Sequence, residues 1–112
     1  MRANELEQIE SSIKHAKRTV DLGSALERLF DNRDFKQVIT EGYFNQEAVR
    51  LVHLKSDPNM QSPDTQKAII SQMDSIGYLN QYFSTVLALA SMASKSIDAD
   101  EQTREDLLAE GL

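Results

Sequence analysis

The sequence predicts an all-α protein. Three observations predict it: apolar residues recur at intervals of three and four near both ends of the chain, Ser62-Pro63-Asp64 is a helix-start signature, and no proline follows Pro63. The expected arrangement is two long antiparallel helices, a helical hairpin or small bundle, with two short helices between them in a single domain spanning residues 1–112.

Along residues 5–30 the apolar positions are Leu6, Ile9, Ile13, Ala16 and Val20, continuing through Gly23, Leu26 and Phe30. That spacing keeps one narrow stripe on one side of a helix, as in a coiled-coil seam, while Lys14, Lys17, Arg18 and Asp21 occupy the rest. Gly23 costs roughly 1 kcal/mol relative to alanine inside a helix, so it marks either a bend or a close helix crossing.

Asp31, Asn32, Arg33 and Asp34 are capping types, and Asp34 is expected to cap a short helix carrying Phe35, Val38 and Ile39. Glu41-Gly42 should end that helix, with Gly42 in the left-handed conformation. A third helix is expected from about Asn45, with Ala48, Val49, Leu51, Val52 and Leu54 as its apolar positions. Residues 56–62 read as a loop, because Pro58 stops a helix and biases Asp57 toward extended backbone. At Ser62 a hydroxyl is available to orphan amides, proline takes the first turn and Asp64 meets the positive end of the helix dipole.

From Pro63 a seam runs through Ile69, Met73, Ile76, Leu79, Phe83, Val86, Leu87, Ala90, Ala93 and Ile97. A helix of that length extends roughly 50 Å, more than the first helix covers, and so leaves apolar surface for a partner. The acidic end, residues 98–112, is expected to pack weakly and fray.

Composition bounds the function. Hydrophobic content of 40% with 27% charged residues suits a folded helical protein, and no apolar run approaches the length of a membrane span. The N-terminus lacks a secretory pattern and cysteine is absent, so cytoplasm is the expected compartment. Of the net charge of −6, five units lie in residues 98–112, where six acids face the single Arg104. No global field draws phosphate backbones, and Lys14, Lys17 and Arg18 read as helix-surface partners of Glu7 and Glu10, so no nucleic-acid partner is expected.

The chemistry-bearing patterns are incomplete. His15 and His53 belong to no helical metal pair, His15 reading as a surface residue and His53 as half-buried. Asp98-Ala99-Asp100 opens like a calcium loop, but Thr103 replaces the required glycine and Ala109 the closing glutamate. No nucleophile elbow or glycine-rich phosphate loop occurs, so neither a catalytic site nor a cofactor or metal site is expected. What remains is contact. Phe44, Met73 and Phe83 are expected in the core, whereas Tyr43, Tyr78, Asn80, Tyr82, Val86 and Leu89 form a candidate interface. Asp98, Asp100, Glu101, Glu105 and Asp106 form a candidate acidic contact. The reading is a homo-oligomeric structural or assembly protein, with inhibition of another protein through the acidic or aromatic surface as the alternative.

The segment Ala25-Leu26-Glu27-Arg28-Leu29-Phe30, with Asp34-Phe35-Lys36, Glu41-Gly42-Tyr43-Phe44 and Arg50-Leu51-Val52-His53-Leu54, resembles small helical proteins of tailed bacteriophages. The resemblance covers about the first half of the chain and carries no ligand or catalytic motif. It implies a viral origin in the host cytoplasm or in the virion, and a role as a virion part or helper or as a binder of a host protein.

Overall fold

The computed structural model describes residues 2–111, and every regular element among them is helical. Helix α1 spans Arg2–Asp31 without a break at Gly23. A continuous helical stretch follows, in three segments: α2 (Arg33–Phe35), a π-helix (Lys36–Glu47) and α3 (Ala48–Ser56). A 3₁₀ turn (Pro58–Met60) leads into α4, Pro63–Ala109.

The helix boundaries follow side-chain chemistry. Asn32 is the one non-helical residue between α1 and α2, and its Oδ1 accepts from the Phe35 amide at 2.9 Å. It therefore holds the capping role expected of Asp34, because Asn32 has the extended backbone of an N-cap and Asp34 already lies inside the helix. At the next boundary Asp57 Oδ1 accepts from the Asn59 amide at 2.8 Å. The Lys55 carbonyl, left open by the end of α3, accepts from the side-chain amides of Gln61 and Gln66, each at 3.0 Å. Ser62 caps α4, its Oγ accepting from the Thr65 amide at 3.2 Å.

The π-helix replaces the first of the two expected short helices and the break after it, while the second is present as α3. Gly42 ends nothing: among the described residues only Gly111 has positive φ, and Gly42 sits mid-helix, where a Cβ would lie 3.0 Å from the Gln37 carbonyl oxygen. The apolar spacing supplies the reason. Phe35, Ile39, Tyr43 or Phe44, and Ala48 recur every four to five residues before the fully buried Leu51. In an α-helix, sixteen residues at about 100° each would leave Phe35 and Leu51 roughly 160° apart around the axis. Hydrogen bonding from i to i+5 fits more residues into each turn and returns them toward one side.

Two compact units divide the chain. In the first, residues up to Leu26 with those from Thr85 onward, α1 packs against α4. Ile13, Ala16, Gly23 and Leu26 on α1 and Val86 on α4 are buried. A Cβ at Gly23 would collide with the Ala90 Cβ, so Gly23 marks a close helix crossing. Glu5 and Ile9 lie beside Asp100, Thr103 and Leu107, so early α1 residues meet late α4 residues. Helix α4 does not stop at the acidic stretch but continues to Ala109, with Asp100, Arg104 and Leu107 half-buried. Those three continue the three-and-four spacing of Ala90, Ala93 and Ile97.

The second unit, Glu27–Ser84, has a core of Leu51, Ile69 and Ile76, with Tyr43, Phe44, Ala48, Leu54, Met60 and Met73 packed around it. Burying a leucine side chain is worth about 1.5–3 kcal/mol, so the 0% exposure of Leu51 makes it this unit's principal anchor.

Candidate interaction surface

In the second unit, Phe83 is the hub of an aromatic cluster. Phe30 and Phe44 both meet it edge-on, at ring-centroid distances of 5.6 and 5.8 Å and interplanar angles of 77°. Phe35 lies 6.0 Å from Phe83 and 5.9 Å from Phe30. Edge-to-face rings at these separations contribute about 0.5–1.5 kcal/mol each beyond their buried area. Phe30, Phe44 and Phe83 line a recess of about 380 Å³, with Lys36, Glu41 and Asn80 also among its lining residues. Lys36, Thr40, Glu41 and Phe44 all belong to the π-helix, so the register that aligns the core also builds one wall of the recess.

The candidate interface residues divide. Tyr78 and Tyr82 are 67% and 56% exposed and share a face of α4 four residues apart. Asn80 is exposed at the recess, and Tyr43 is half-buried against the Leu51 core. In the first unit Leu89 is 48% exposed, but Val86 is only 6% exposed. Val86 is therefore a core residue and not an interface residue, because α1 packs over its side of α4. Spacing alone missed the recess, since Phe30 and Phe35 come from a different stretch of chain than Phe83 and only their ring contacts group them. It also missed exposed Leu22.

The acidic residues divide too. Asp98, Glu105 and Asp106 are exposed, whereas Asp100 and Glu101 are half-buried. Asp106 accepts from Gln102 Nε2 at 3.1 Å. Asp100 Oδ2 is buried with no hydrogen-bond partner among the described residues, which costs roughly 1–3 kcal/mol. Lys14, Lys17 and Arg18 are exposed on α1, with Glu10, Asp21 and Arg104 beside them. His15 and His53 are both exposed; His53 is not half-buried as expected, because α3 turns Leu51 and Leu54 inward instead. Near it, Arg50 Nε donates to Glu47 Oε1 in an i,i+3 ion pair.

No helix among the described residues is long and apolar enough to cross a membrane. The class defined is an all-helical protein with an aromatic recess and uncovered apolar side chains. No family model, curated protein or solved structure matches the chain.

Proposed function

We propose that this protein is a non-enzymatic structural or assembly component that works by helix-mediated association with further copies of itself. One observation carries the reading: eleven large apolar side chains among the described residues are exposed, including Leu22, Leu29, Tyr78, Tyr82, Leu89 and Met92, while seven hydrophobic residues are buried. Burying 800 Å² of apolar area per partner would contribute about 20 kcal/mol before entropic and desolvation costs. In this reading the fold is a helical hairpin of α1 and α4 joined by the stretch between them. The resemblance to small helical phage proteins makes a virion-associated part or assembly helper the setting we infer. Light scattering over a concentration series tests it: mass should rise with concentration, and a clean monomer at tens of micromolar would overturn the proposal.

A second reading, binding and inhibition of a host protein, is favoured by the acidic stretch remaining helical with Asp98, Glu105 and Asp106 exposed. Acid spaced along a helix imitates nucleic-acid phosphates. Reversing those three charges would abolish capture of a basic partner and leave apolar self-association unchanged.

A further inference from the structure

We propose that the recess between α1 and α4 lined by Lys14, Lys17, Arg18 and Arg104 is a binding site for a small oligophosphate. The site lies wholly within the first unit and is independent of self-association.

Four cations line this recess of about 450 Å³, three from α1 and one from α4, with the carboxylates of Glu10 and Asp21 beside them. The lining thus carries twice as many positive as negative charges, in a chain whose net charge is −6. Spacing along α1 predicts that Glu7 and Glu10 neutralise Lys14, Lys17 and Arg18. They do not: none of the four cations forms an ion pair among the described residues.

Arg104 is the decisive residue. It is half-buried and continues the three-and-four spacing of Ala90, Ala93 and Ile97, where an apolar side chain would pack against α1. A charge at that position loses hydration, and this one gains no ion pair in return while three more cations share its recess. Like charges held together on two packed helices repel, and an anion of several charges placed among them turns the repulsion into attraction. Guanidinium forks and lysine ammonium groups both bind phosphate oxygens.

The lining also defines the class of occupant. The volume falls within the range of about 300–1,000 Å³ typical of small-molecule sites, and cations supplied by two helices suit more than one phosphate group. Ile13 completes the lining, so no aromatic ring is present to stack a base, and recognition is of phosphate charge. A long polyanion is disfavoured, because exposed Asp98, Glu105 and Asp106 lie on either side of Arg104 along α4.

Calorimetric titration of the full chain with sodium tripolyphosphate tests this. The wild type should bind one tripolyphosphate per subunit, and R104M, which keeps an apolar stem at the seam, should weaken binding roughly tenfold or more. K14Q/K17Q, altered only at exposed positions of α1, should do the same, and takes the place of R104M should that variant lose helicity by circular dichroism. K67Q, at an exposed lysine of the second unit, should bind as the wild type does. A wild type that binds no tripolyphosphate would overturn the site, as would equal weakening by K67Q and K14Q/K17Q. A single-stranded oligonucleotide should bind more weakly than tripolyphosphate at equal phosphate concentration; tighter binding would overturn the small-ligand class in favour of nucleic acid.

Discussion

The two units of this protein solve the same packing problem with opposite materials. In the first, small residues bring helices together: Gly23 lies so close to Ala90 that a single added carbon would collide with it. In the second, bulk fills the space, with Phe83 holding Phe30, Phe35 and Phe44 around it while Leu51 anchors the core beside a π-helical stretch. A seam of small residues demands a regular repeat, because backbones in contact tolerate no drift in register. A cluster of large rings tolerates irregular spacing, and here the backbone register itself has widened to accommodate it.

Substitutions can break or sharpen that contrast. The largest effect is expected at Leu51, where Leu51→Ala leaves a cavity at a fully buried site and should cost about 3 kcal/mol in denaturant unfolding. Phe83→Ala removes the hub of a half-buried cluster and should cost about 2–3 kcal/mol. Should Phe83→Ala prove neutral in chemical denaturation, the rings would be surface decoration and the contrast would fail.

In the seam, overpacking at Gly23→Ala should outweigh the gain in helix propensity and destabilise by about 1–2 kcal/mol. Ala90→Gly in the same chain should restore part of that loss, and a double-mutant cycle without coupling would show that Gly23 is not at a crossing. Asp100→Leu replaces a buried, unpartnered oxygen with an apolar side chain at a seam position and should stabilise by about 1 kcal/mol, a rise of several degrees in Tm by calorimetry.

The smallest effect is expected at Gly77, also inside α4 but with nothing within 4 Å of where its Cβ would be. Gly77→Ala should stabilise by about 0.5–1 kcal/mol, the reverse of the sign at Gly23. Thermal melts of the two alanine variants side by side therefore report whether a glycine is kept for contact or merely tolerated.

Legibility followed the same division. The start of α4 was readable because Ser62, Pro63 and Asp64 act locally, through a cap, a fixed φ and a dipole. The seam positions Ile13, Ala16, Leu26 and Ile76 were readable because burial on one side of a helix imposes its period on the sequence. Gly42 misled because glycine commonly ends helices, and nothing adjacent to it reveals an i to i+5 register. Asn32 and Asp34 are both capping types two residues apart, and only backbone conformation separates them.

By itself the sequence determined that this chain is helical, where its last helix starts and which residues repeat along a stripe, since each depends on neighbours within a turn or two. Tertiary structure decided the rest. Val86 and Leu89 lie three residues apart on one helix and are equally apolar, yet one is buried and the other exposed because α1 packs beside only one of them. The aromatic recess likewise exists only where Phe30, Phe44 and Phe83 meet, and no local pattern carries information about rings contributed by distant stretches of chain.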